Sequence, residues 1–253
     1  MKGIPNFGNT CYFNSALQCL LQIPQLSNYF ITADYTGPCE ITREYQKVVR
    51  SAWTSKTDRF IDVRPLLGLF RTRFSQFANG DPQDAQEALM CMMDLLEPVL
   101  KPFVTSKLVQ ETVCPSGKTT LKDETSVVSL APKGDIETSF THMTKWNTID
   151  NYEDNDGKVW NVAATRTVFE SFPEILIVSM THKTTVTVNE SLGAFVLFAS
   201  CVHVGSQRGG HYMAYTRHKG KWYLKDDLQC VETMFPDTSG HCILFYKLLN
   251  SDN

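Results

Sequence analysis

Apolar positions through the first hundred residues recur at helical spacing, whereas those after Glu174 fall into short β-branched runs. After Cys11, the positions Phe13, Leu17, Leu20 and Leu21 share one helical face, which predicts a helix that stops at Pro24. Further helices are expected over about 41–53 and 62–78. A fourth begins with Asp81 as N-cap and Pro82 at its first position; Ala85, Leu89, Met92, Met93 and Leu96 carry it to Pro98. The pattern changes near residue 104. Strands are predicted over Ile175–Met180, Thr184–Val188, Phe195–Val204, Tyr212–Thr216, Trp222–Leu224 and Cys242–Leu248. Between the two halves, 105–165 is polar, turn-rich and weakly alternating, and reads as a short β hairpin excursion. No internal repeat interrupts this order. The expectation is an α+β chain, helical first and sheet-forming second.

Composition narrows the function. A hydrophobic fraction of 42% suffices for an ordinary packed core in 253 residues. The formal net charge of -3, without a basic stripe, gives nucleic acid no electrostatic footing. No apolar run is long enough to span a bilayer, and Met1-Lys2 is not followed by an apolar leader. The eight cysteines are scattered, without one Cys-x-x-Cys pair, as free thiols are in a reducing compartment. An intracellular monomer, cytoplasmic or nuclear, with no cofactor and no metal, is therefore expected.

Three residue types needed for thiol chemistry occur in the order Cys, His, Asp. Cys11 begins a predicted helix, where unpaired amides and the macrodipole favour a thiolate and lower the thiol pKa. His211 follows Gly209-Gly210 and enters an alternating run at Tyr212, unlike the other histidines, which lie in polar or strand-like contexts. Asp226-Asp227 stands shortly after Trp222 and reads on its own as a hydrated turn. Asn6, beside Pro5, Gly8 and Asn9, reads on spacing alone as a turn residue. Asp84 and Glu87 read as charges in the first turn of a helix.

The run Gly3-Ile4-Pro5-Asn6-Phe7-Gly8-Asn9-Thr10-Cys11-Tyr12-Phe13-Asn14-Ser15 closely resembles the cysteine box of the ubiquitin-specific proteases, a papain-like family. Val202-His203-Val204-Gly205 and Gly209-Gly210-His211-Tyr212 resemble its histidine box, and Gly80-Asp81-Pro82-Gln83-Asp84-Ala85-Gln86-Glu87 its intermediate block. The resemblance runs from residue 3 to about 247 but is strong only in these boxes.

It implies a papain-like fold with a helical thumb (1–104), reduced β fingers (105–165) and a β-sheet palm (166–253) in one catalytic domain. It implies that Cys11 is the nucleophile, His211 the base, Asp226 the group orienting it, Asp227 a helper, and Asn6 an oxyanion donor. Asp84 and Glu87 would hold an extended ubiquitin tail; Gly209, Gly210 and Tyr212 would border it, and the loop from Gly205 to Gly209 would cover it. The implied partners are ubiquitin and ubiquitinated proteins. Many members hold zinc through two Cys-x-x-Cys pairs in the fingers, and here Cys114 is a single remnant. The small size and lost ligands suggest a compact viral or microbial member, at work in a host cell if viral. Two other readings stay open: a protease for a ubiquitin-like modifier or a viral polyprotein, and an inactive ubiquitin-binding module.

Overall fold

The computed structural model describes residues 1–180, 186–206, 209–237 and 240–249. The chain opens with five α-helices: α1 (Cys11–Leu20), α2 (Pro24–Thr32), α3 (Glu40–Trp53), α4 (Arg64–Arg73) and α5 (Ala85–Val104). Then come β1 (Ser106–Cys114), β2 (Gly117–Thr125), β3 (Val128–Leu130), α6 (Ile136–Thr144), β4 (Asn147–Glu153) and β5 (Val159–Ser171). The last part is all strand: β6 (Ile175–Met180), β7 (Ser191–Leu192), β8 (Phe195–Ser206), β9 (Gly209–His218), β10 (Lys221–Asp226), β11 (Gln229–Thr233) and β12 (His241–Leu248).

Several helix ends differ from the pattern reading, each for a local reason. Pro24 does not merely stop a helix; it starts α2 at a position whose missing N–H is not needed, after α1 has ended at Leu20. Asp81 is no cap, since its carboxylate and amide both bond Asn79. Asp84 caps α5 instead, accepting from the amides of Gln86 (2.7 Å) and Glu87 (3.3 Å). The helix then runs through Pro98 and Pro102 to Val104. Both prolines and Asp94, the residue four before Pro98, are exposed, so water can take the freed carbonyl while Leu96, Leu100 and Val104 continue the buried stripe. The expected helix over 62–78 is α4 followed by a separate 3-10 turn at Ser75–Phe77.

Two sheets follow. β2-β1-β5-β4 form a four-stranded antiparallel sheet, and the larger sheet is ordered β11-β10-β9-β8-β12-β6-β3, with β7 paired to β8. The middle stretch is thus more than a hairpin. It contains α6, and its β3 leaves to pair in parallel with β6 in the larger sheet. Part of the expected strand Thr184–Val188 lies outside the described residues; within them, Thr187 bridges to Asp135 and Val186 and Val188 are buried.

The larger sheet is covered on both faces, which explains why every residue of β6 is buried. Ile175 and Ile177 join a core with α1, α5 and the other leading helices; Leu176, Val178 and Met180 point the other way, into a second core with α6. α1 lies deepest. Nine of its ten residues, from Tyr12 onward, are buried, leaving Cys11 half-buried at its start. Truncating a residue such as Leu17 to alanine there costs about 2–5 kcal/mol. The nucleophile candidate is thereby set at the start of a buried helix that packs against β9.

Candidate active site

Short polar side chains build the loop ahead of α1. Asn6 Oδ1 accepts from the amides of Gly8 (3.0 Å) and Thr10 (3.2 Å), and Thr10 Oγ1 accepts from the Phe7 amide (2.9 Å). The loop also requires left-handed backbone, with φ of 88° at Gly8 and 49° at Asn9. Asn9 Nδ2 then reaches the carbonyl of Gly80 (3.0 Å), joining this loop to the segment before α5.

The Cys11 sulfur meets the amides of Tyr212, Tyr12 and Cys11 itself. The first of these belongs to β9, so the thiol touches the strand that carries His211. Burial pushes the Cys11 thiol up, with the nearby charge of Asp227 adding to it, and the three amides offset only part. That corrects the expectation of a lowered pKa from the helix terminus: desolvation outweighs the dipole in this arrangement.

His211 Nε2 lies 2.6 Å from Asp226 Oδ1, both side chains about a third exposed. A carboxylate only accepts, so Nε2 carries the proton and Nδ1 is left as the basic nitrogen. Asp227 is employed differently. Its Oδ1 accepts from Asn14 Nδ2 (2.7 Å), its Oδ2 accepts from Asn6 Nδ2 (2.8 Å), and it stands 4.0 Å from His211 Nε2. Two asparagines hold it at a positive φ of 47°.

Asp84 joins the start of α5 to β9. Besides capping α5, its Oδ2 accepts from Tyr212 Oη at 3.2 Å. Glu87 stays at the helix surface, where Gln76 Nε2 donates to it at 3.3 Å, and it does not meet the histidine or the thiol through any described bond. A β-carbon on Gly210 would lie 2.4 Å from His203 Nε2 and 2.6 Å from the Val204 carbonyl, whereas one on Gly209 would enter open space. Gln207 and Arg208, in the expected covering loop, lie outside the described residues, as does His182.

Three neighbours were given no role by the sequence reading. Asn14 is buried on α1 and holds Asp227; its signal was that it is one of several polar residues, with Ser15 and Gln18, in the helix that carries Cys11. His203 packs on Tyr212, ring centroids 4.6 Å apart. Lys225, only 2% exposed, sits directly before Asp226. Among the described residues, the one group of three metal-ligating side chains is His211, Asp226 and Asp227, and the Cys114 thiol meets Ser116 Oγ (3.0 Å). The residues do not form a zinc site of the four-thiol kind.

A thiol at a helix start, near an imidazole–carboxylate pair and set between helices and a sheet, stands on a papain-like α+β fold. A family model described as ubiquitin carboxyl-terminal hydrolase matches residues 2–191 and 179–246, and the chain belongs to that family. Ubiquitin carboxyl-terminal hydrolase 15 of Homo sapiens and that of Rattus norvegicus are each 34% identical over 124 residues, covering 42% of this chain and 12% of the relative. The chain thus spans about an eighth of the length of these curated relatives (12%). The SAGA Ubp8/Sgf11/Sus1/Sgf73 DUB module bound to ubiquitin aldehyde contains a chain of the same fold, with a TM-score of 0.84 at 16% identity. The match covers 99% of this chain and 70% of that one. A second structure of the module, bound to monoubiquitin, gives 0.84 at 17% identity.

Proposed function

We propose that this chain is a deubiquitinating thiol hydrolase, cleaving the isopeptide or peptide bond after the C-terminal Gly-Gly of ubiquitin. The observation that carries the reading is the Cys11 sulfur against the Tyr212 amide, with the neighbouring His211 held by Asp226 at 2.6 Å. The Cys11 proton passes to His211 Nδ1 as the sulfur attacks the carbonyl carbon. Asp226 stabilises the imidazolium that forms.

The developing oxyanion is met by the Cys11 amide and by Asn6 Nδ2. An amide nitrogen has two hydrogens; Asp227 takes one from Asn6 and so aims the other. Collapse of the tetrahedral species breaks the carbon–nitrogen bond, His211 returns its proton to the leaving amine, and a thioester remains on Cys11. Water, deprotonated by the same histidine, releases the ubiquitin carboxylate and the thiol.

Gly210 is pressed against His203 and Val204 of its own sheet, whereas Gly209 faces open space, where a channel that admits backbone but not side chains would pass. Asp84 and Tyr212 form one wall for the tail, whereas Glu87 has only its first-turn role to support it. We read 1–104 as thumb, 105–165 as fingers and 166–253 as palm, with β5 running across the second boundary to Ser171. Eight free cysteines support a reducing location, cytoplasmic or nuclear, and among the described residues no helix is long and apolar enough to cross a membrane.

The test is hydrolysis of ubiquitin joined through its C-terminus to a lysine side chain. Release of the amine by the unmodified chain, abolished in Cys11→Ala with ubiquitin binding retained, is the expected result. Undiminished release by Cys11→Ala rejects the reading.

A further inference from the structure

Lys225 is a charged side chain in an unexpected place. It lies on β10, one residue before Asp226, and is 2% exposed. An ammonium is costly to bury and is found there only with partners. Its Nζ donates to the carbonyl of Lys2 at 3.2 Å and meets the thiol of Cys230, the residue opposite it on β11. Burial lowers its pKa, and the Cys230 contact offsets part of that.

The Lys2 carbonyl belongs to a segment held from two sides. From the helical layer, Gln18 Nε2 donates to the same carbonyl (3.0 Å), Lys2 Nζ reaches the carbonyls of Ser51 and Ser55, and the Ile61 amide donates to the Gly3 carbonyl (2.9 Å). From the sheet, the Ile4 amide donates to the Asp227 carbonyl (2.8 Å). The segment lies flat against the turn after β10: a β-carbon on Gly3 would fall 2.0 Å from the Leu228 carbonyl oxygen. Two residues beyond Ile4 stands Asn6.

We propose that Lys225 is a positioning residue that clamps the Lys2–Ile4 segment onto the Asp226–Asp227 turn and thereby sets the aim of Asn6. The inference rests on the reading of Asn6 as a donor to the reacting carbonyl. An apolar residue of the same length fills the space equally well but cannot bond the Lys2 carbonyl. Asn6 and Asp227 approach each other from opposite ends of the chain, and their 2.8 Å contact fixes the amide only if the backbone beneath each is in register. Lys225 supplies that register from directly under the turn, where a small misplacement is felt in the transition state more than in binding.

The experiment compares Lys225→Met, Asn6→Ala and the double variant in hydrolysis of a ubiquitin C-terminal amide, with amide hydrogen exchange at Ile4 as a second readout. Lys225→Met is expected to lower kcat about ten-fold to a hundred-fold with KM within about two-fold, and to add little to the loss in Asn6→Ala. Exchange at the Ile4 amide is expected to quicken. Unchanged kcat, losses that multiply in the double variant, or unchanged exchange at Ile4 overturns the clamp. If Lys225→Met does not fold, Gln18→Leu, which removes the other donor to the same carbonyl, carries the test with the same signs. An unmodified chain inactive on the amide rejects the reading of the site instead, and the exchange at Ile4 still decides the clamp.

Discussion

Asn6 Nδ2 donates to Asp227 Oδ2 at 2.8 Å, joining the loop before the candidate nucleophile to the turn after the candidate base's carboxylate. The bond gives the paired aspartates different work: Asp226 faces the imidazole, and Asp227 holds two asparagines, Asn6 and Asn14. Removing it frees the Asn6 amide to turn. Asp227→Ala is therefore expected to lower kcat about ten-fold to a thousand-fold, the range for one oxyanion donor, with little change in KM. The Asn6→Ala, Asp227→Ala double variant should lose less than the product of the single losses. Steady-state kinetics on a ubiquitin amide measures this, and fully multiplicative losses count against a shared role.

The two glycines before His211 separate folding from substrate fit. Gly210→Ala places a methyl against His203 and the Val204 carbonyl, so both melting temperature and turnover should fall. Gly209→Ala places its methyl where no protein atom lies within 4 Å. Its stability should stay unchanged while kcat/KM drops about ten-fold or more, if the substrate backbone passes there. Thermal melting beside kinetics distinguishes them, and unchanged kinetics in Gly209→Ala removes that residue from the channel.

Asp154 joins the two hairpin tips of the smaller sheet with a carboxylate. It accepts from Trp160 Nε1 (2.8 Å), Ser116 Oγ (2.9 Å) and the amides of Lys158 (3.0 Å) and Asp156 (3.1 Å). These bonds, Trp160 first, hold its pKa down to about 2 from 3.8. A depressed carboxylate stabilises fully above its unfolded pKa, and the contribution disappears as the pH falls through about 2. Asp154→Ala should speed amide exchange at both tips at neutral pH, and the difference from the unmodified chain should vanish near pH 2. Activity should also survive prolonged chelation, because Cys114 stands at one of these tips without a Cys-x-x-Cys partner and a closed zinc site needs four ligands. Loss of activity on chelation, restored by zinc, contradicts this.

The candidate site could be proposed from the sequence because its loops are made by residues with few alternative uses. Gly8 and Asn9 supply positive φ, Asn6 and Thr10 fold the turn, and the small residues before His211 leave room where His203 and Val204 crowd. The helices and long apolar strands were legible from their periodicity. What escaped depended on distant partners. Whether Pro98 ends a helix turns on which side of α5 faces water, and whether Asp81 or Asp84 caps it turns on Asn79. Short, polar β11 exists because β10 offers it an edge, and β3 because β6 does. The raised thiol pKa was hidden for the same reason: the amides at the helix start are local, but the burial of the sulfur and the charge of Asp227 that oppose them depend on the assembled fold.

The most direct test of the account is covalent capture. Ubiquitin whose C-terminal carboxylate is replaced by an electrophile is incubated with the chain, and the adduct is mapped by peptide mass spectrometry. The account predicts one adduct, on Cys11, lost in Cys11→Ala and strongly slowed in His211→Ala, with the other seven thiols unmodified. Equal labelling of another cysteine, an adduct that persists in Cys11→Ala, or no adduct with ubiquitin but one with a ubiquitin-like modifier contradicts it.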